Sequence, residues 1–287
     1  MYAVAILPND GCENLAAIVV SSLPRHRFLP YTAGGKAIMK FQQILSIVLC
    51  LTCVTMSEHV FSQWTVDVEG NYIMSIPYND VRIPSQGGTR IDIANDLHTE
   101  TTFTYRGRIS YTINNRHIIS ALAAPLTIKS SGRLSRDVTY SGEVFEANTN
   151  IDATYKFNSF RLTYRYMFVY RDNLKIGAGI TGKIRDANIT LQGEDAHADF
   201  PDLGFVPLVN FYLHWLPTER LGVLFEGDAL GTTKGRAEDI FAGITLQASP
   251  TIRLKGGYRI LEGGADVSDN YNFTFVNYAA LGAMILF

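Results

Sequence analysis

Along most of this chain apolar residues recur at every second position, a period that admits only extended strands with one greasy face. The clearest case sets Phe103, Tyr105, Gly107, Ile109, Tyr111 and Ile113 on one side and Thr102, Thr104, Arg106, Arg108, Ser110 and Thr112 on the other. The run over 277–287 behaves likewise, since counting back from Phe287 gives Ile285, Ala283, Leu281 and Ala279. A soluble domain seldom places its most apolar strand at a chain end, where segments fray into water. This strand is therefore expected to close a sheet against lipid.

Composition narrows the class. Charged residues are 18%, mean hydropathy is close to zero, and no apolar run reaches the roughly 18 residues that a membrane helix needs. The balance of 25 basic against 27 acidic residues gives no basic excess for nucleic acid. One short apolar segment stands apart over 44–56, preceded by Met39 and Lys40 and followed by Val60 and Ser62. It has the parts of a secretory signal peptide, so residues 39–62 are expected to be removed after Ser62. Residues 1–38 then lie upstream of a signal, which implies that translation starts at Met39. N-terminal sequencing of the mature protein tests that expectation. All three cysteines, Cys12, Cys50 and Cys53, precede the cleavage point, leaving no disulfide, thiolate metal site or cysteine nucleophile in 63–287.

Strands are expected over 64–76, 102–113, 116–128, 151–170, 174–191, 204–216, 220–230, 236–248, 251–261 and 271–287. Strands three and six alternate weakly, which leaves eight as the alternative to ten. Brief connections at Asn114 and Asn115, 171–173, 217–219 and 249–250 take turns with longer polar ones at 77–98, 129–150, 192–203, 231–235 and 262–270. Within 151–170 the apolar phase runs through Ile151, Ala153, Tyr155 and Phe157, then moves to Phe160, Leu162 and Tyr164. A bulge near Asn158 and Ser159 would account for that shift.

An even strand count, short turns at one end and long loops at the other is the pattern of membrane barrels. On these features, together with Tyr72, Trp215, Tyr258 and Tyr278 near strand ends and the final Phe287, residues 63–287 resemble the small bacterial outer-membrane β-barrel proteins. The resemblance implies an all-β, single-domain, antiparallel up-and-down barrel in the outer membrane. It also implies contact with outer-membrane lipid and lipopolysaccharide, and insertion by a barrel-assembly machinery that reads Phe287. A monomer without cofactor is expected.

In such a barrel the polar strand faces point into the lumen. The bases there are Arg106, Arg108, Arg161, Arg165, Lys175, Lys183, Arg185, Arg253, Lys255 and Arg259, against the acids Asp67, Glu69, Glu226, Asp228 and Asp239. Two readings follow: a salt-bridged plug, because unpaired buried charge is costly, or a narrow anion-preferring pore. Asp67 and Glu69, on the strand beside Arg106 and Arg108, are the first expected partners. In the segment 192–203, Glu194, Asp195, His197 and Asp199 suit a divalent cation chemically, but their spacing fits no standard motif and a solvated acidic loop is the plainer reading. A third class is an outer-membrane hydrolase acting on lipid A or peptides. The Asp-Asp and Asp-His dipeptides of omptin-like proteases are missing, and His117 and Ser120 have the wrong parity to share a face. His98 beside Asp96 and Glu100 is the one other cluster of that kind.

Overall fold

The computed structural model describes residues 63–100 and 102–287, so the expected signal peptide and upstream segment lie outside the described residues. Ten strands close into one antiparallel barrel. They are β1 Trp64–Arg82, β2 Phe103–Ile113, β3 His117–Ala124, β4 Asn150–Tyr170 and β5 Leu174–Gln192. The second half consists of β6 His197–Trp215, β7 Leu221–Thr232, β8 Gly235–Ser249, β9 Ile252–Val267 and β10 Asn270–Leu286. Each strand pairs with its sequence neighbour, and β10 closes the wall on β1 in a register that sets Val66 against Ile285 and Tyr72 against Ala279.

The turns at one end are short for local reasons. Asn114 and Asn115 both take positive φ, 52° and 55°, the geometry of a type I′ hairpin whose twist matches its strands. Arg171 and Leu174 exchange backbone hydrogen bonds across Asp172 and Asn173. The opposite end differs from expectation. Three of the five connections expected to be long are tight: residues 193–196, 233–234 and 268–269 merely join strands that run on. Two real loops remain, residues 83–102 and 125–149, and they carry short elements of their own. The first holds Ile91–Asp92 and a one-turn helix α1, Ile93–Asp96, capped by the Asp92 carboxylate accepting from the backbone N–H of Ala94 and Asn95. The second holds Thr127–Arg133, which continues up the side of β4, and the hairpin Val138–Tyr140 with Glu143–Phe145.

Strands of 19 residues in β1, β5 and β6 and 21 in β4 are about twice what a bilayer crossing needs. Where they leave the apolar band they keep their parity and exchange their chemistry. In β4 the odd residues face inward from Ile151 to Met167. They are Ile151, Ala153 and Tyr155 toward the loop end, then Ser159, Arg161, Thr163 and Arg165. The even residues face outward, Asp152, Thr154, Lys156 and Asn158 first, then Phe160, Leu162, Tyr164 and Phe168. No register shift occurs near Asn158; the irregularity in the β4–β5 pairing lies between Ile176 and Gly177. The apparent phase change is thus an inversion of environment, water outside and apolar packing inside giving way to lipid outside and charge inside. β5 repeats it, with Ile189 and Leu191 inward above Thr181 and Lys183.

The inward apolar faces above the inversion meet the two loops. Val81, Ile83, Ile91, Ile93, Leu97, Leu134, Val138, Tyr140 and Phe145 pack with Ile151, Tyr155, Ile189, Leu191 and Val276 in one buried cluster, a cap seated in the barrel mouth. Tyr278, expected near a strand end, lies within β10 and is buried in this cluster, because its even position faces the lumen.

Candidate functional site

The charged residues meet at the barrel's waist. Burying a carboxylate away from water is tolerated only when cations and hydrogen-bond donors replace the lost hydration. Asp239 on β8 receives three guanidinium groups, Arg106 at 3.0 Å, Arg161 at 2.6 Å and Arg259 at 2.6 Å. Arg161 also bonds Asp228 at 2.8 Å, whose second oxygen accepts from the Thr181 hydroxyl at 2.6 Å and the Asn210 amide at 2.7 Å. Glu69 takes both Nε and Nη2 of Arg259, at 2.7 and 2.9 Å, and lies 2.7 Å from the Lys255 Nζ. Asp67 shares that lysine at 2.7 Å, and Glu226 pairs with Arg108 at 2.7 Å.

Parity places these side chains in the lumen, but it does not choose partners. Asp67 sits directly opposite Arg108 in the β1–β2 ladder, and Glu69 opposite Arg106. Neither pair forms an ion pair. The acids of β1 bond β9, and the arginines of β2 reach across to β7 and β8, because long side chains cross a narrow lumen and find carboxylates already surrounded by other cations. The result ties eight of the ten strands together through their side chains.

Other expected residues fall elsewhere. Arg165 donates to the Asn210 side-chain Oδ1 at 2.7 Å and lies over the Tyr212 ring at 4.4 Å, while Arg253 donates to Gln247 at 2.7 Å and Lys175 sits over Tyr170 at 4.7 Å. Together with Asp67, Arg108 and Glu226, these three bases line a vestibule of about 210 Å³ toward the short-turn end. On the other side of the waist lies a cavity of about 300 Å³, lined by Lys183, Arg185 and largely apolar neighbours. Arg185 pairs at 2.5 Å with Asp202, which stands on β6 facing inward and not in a loop. Counting inward parity back from Asn210 along β6 would have found it.

Three candidate ligands of the acidic segment, Glu194, His197 and Asp199, are engaged by protein groups. His197 and Asp199 lie on the outer face of β6, where His197 Nδ1 bonds Gln192 at 2.8 Å, its Nε2 bonds Asp199 at 3.1 Å, and Asp199 also accepts from Thr190 at 2.5 Å. The hydrogen bond from Thr190 is the largest of the effects that hold the Asp199 carboxyl below its ordinary range. Glu194 meets the Asn150 amide at 3.5 Å, and no group of three or more metal-binding side chains gathers among the described residues. His117 and Ser120 do not meet: His117 bonds the Tyr164 hydroxyl at 2.8 Å, outside the barrel, while Ser120 shares a hydrogen with Ser110 at 2.9 Å within it.

A closed antiparallel wall with an apolar exterior over a charged interior defines a transmembrane β-barrel. No protein-family model matches the chain, and no curated protein does either. Among solved structures it is similar to the outer-membrane protease OmpT of Escherichia coli, at 10% identity and a TM-score of 0.42, over 80% of this chain and 99% of that one. It is also similar to the transport unit of the autotransporter AIDA-I from Escherichia coli, at 8% identity and 0.44 over 85% and 97%. A third is the attachment invasion locus protein Ail of Yersinia pestis, at 10% identity and 0.33 over 79% and 100%. The assignment to a transmembrane barrel rests on the strand pairing and the apolar band of this chain.

Proposed function

We propose that the protein is an integral outer-membrane barrel with a structural or interaction role, its lumen closed at the waist and its capped end presented outward. The observation that carries this reading is the ionic waist: Asp239 with three arginines stands between the 210 Å³ vestibule and the 300 Å³ cavity. The apolar cap supports it from above. The exterior band supports contact with outer-membrane lipid and lipopolysaccharide. Phe287, whose backbone N–H bonds the Trp64 carbonyl at 3.0 Å, suits an aromatic end signal for the barrel-assembly machinery.

The vestibule favours a second reading, a narrow anion-leaning pore, since Arg165, Lys175 and Arg253 outnumber the acids beside them. Planar bilayers separate the two. A plug gives no conductance steps from the folded protein at neutral pH, whereas reproducible anion-selective steps overturn the plug and establish the pore.

A further inference from the structure

The wall has a seam. β5 and β6 pair over 19 positions, from Leu174 with Trp215 to Gln192 with His197, but β6 pairs with β7 only from Val209 with Ala229 to Trp215 with Val223. Beyond Val209, residues 197–208 of β6 have no strand on the β7 side among the described residues, and 230–232 of β7 pair with β8 alone. Two prolines, Pro201 and Pro207, lie in that edge; proline cannot donate to a ladder and in sheets is confined to edges and bulges. From Pro201 onward the outward residues of this edge are apolar, with Leu203 77% and Phe205 71% exposed. The opening therefore reaches into the lipid-facing band.

The 300 Å³ cavity ends at this seam. Its lining joins the outward Phe205 and Pro207 to the inward Val206, Leu230 and Lys183, so it is continuous through the wall. Deeper in it is apolar, with Phe157, Ala187 and Ile189, and it holds two incompletely matched cations. Lys183 is 3% exposed, makes no ion pair among the described residues and has only the Phe157 ring at 4.6 Å beneath its Nζ. Arg185 bonds Asp202 through one terminal nitrogen, while its buried Nε has no partner. A buried amine with no carboxylate in contact is costly to charge, and an anionic group delivered to it gains a charge-assisted bond.

We infer that this cavity binds a single-chain amphiphile with an anionic head, entering through the β6–β7 seam, its head on Lys183 and Arg185 and its chain along the apolar walls toward lipid. The size lies at the lower end of small-molecule sites, which suits one chain.

The test uses the full folded barrel in nanodiscs and dansyl-undecanoate as probe. Saturable, blue-shifted fluorescence is expected, displaced by dodecanoate or dodecyl phosphate and much less by dodecanol; which anion displaces better distinguishes a carboxylate from a phosphate ligand. Lys183→Gln should weaken binding about tenfold, the worth of one charge-assisted bond, and Lys183→Arg should restore most of it. Ala187→Trp fills the cavity and should abolish binding in a barrel that still shows the heat-dependent gel shift. A photoreactive fatty acid should label peptides containing Phe205 or Leu230. Absence of saturable binding, equal displacement by dodecanol, or labelling confined to the outer band elsewhere each overturns the inference. A barrel that conducts yet binds the probe leaves it standing, so its failure is distinct from failure of the closed-lumen reading.

Discussion

The two halves of the barrel solve opposite problems with the same strands. At the waist β4 and β5 direct Arg161, Thr163, Thr181 and Lys183 inward and Leu162 and Ile180 outward; beyond the inversion they direct Tyr155 and Ile189 inward and Thr154 and Thr190 outward. Backbone geometry is unchanged across the boundary, so the solvent outside decides which chemistry each face carries. In lipid the exterior must be apolar, and the polar residues left for the interior must satisfy one another. In water the exterior can be polar, and the interior becomes an ordinary apolar core that the two loops complete.

Breaking the ionic half should cost most. Asp239→Ala strands Arg106, Arg161 and Arg259 without their shared carboxylate, and removing one partner of a buried network costs about 3–5 kcal/mol. Denaturant unfolding followed by the gel shift should register that loss in the whole barrel. An unchanged midpoint would mean that the waist is solvated. The apolar half should fail locally. Phe145→Ala removes a fully buried ring from the cap at about 3–5 kcal/mol, and limited proteolysis should then cut within 83–102 or 125–149 while the barrel keeps its gel shift. Loss of both together would show that the halves are one cooperative unit.

The boundary can be located by a matched pair on one face of one strand. Leu162→Arg places a charge in the apolar band and should destabilise by about 2–4 kcal/mol. Thr154→Arg, on the same face beyond the inversion, should change stability by no more than about 0.5 kcal/mol. Equal effects would put the boundary elsewhere.

The smallest effect concerns Tyr140, which holds the cap to the wall by donating its hydroxyl to the Ile189 carbonyl at 2.9 Å. Burial, aided by the charge of Asp199, raises its pKa above the ordinary phenol value. The folded cap thus favours the neutral phenol. Its contribution is complete below about pH 10, where an unfolded tyrosine also stays neutral, and is lost as pH rises from there through the higher folded value. Tyr140→Phe should cost about 1 kcal/mol at neutral pH and flatten the alkaline loss of protease resistance in the cap.

Much of this barrel is legible from period alone. Strand count, parity and the pairing of the first strand with the last all follow from residues such as Val68, Ile109 and Leu281 alternating with polar ones. The same rule hides the upper half, because an alternation read with a fixed apolar-out convention changes meaning above the boundary. Ile151, Ala153 and Tyr155 therefore suggest a slipped strand, while His197 and Asp199, outward residues of an extended strand, suggest a loop. The cap is equally hidden, since Ile83, Leu134 and Phe145 are scattered through segments without period and are joined only by the tertiary fold. At the waist, sequence identifies charges and parity but not partners: Asp67 faces Arg108 across the ladder and bonds Lys255 across the lumen.

The register that sets Thr65 against Leu286 also fixes a timetable. Hairpins from β2 to β10 can zip as soon as their neighbours exist, but the edge of β1 must wait, unpaired, until the most distant strand of the barrel arrives. Few contacts have a larger sequence separation than these, and contacts of that kind form late and slowly. For that interval the nascent wall has two open edges, and whatever guards the β1 edge determines whether the chain seals on itself or on a neighbour.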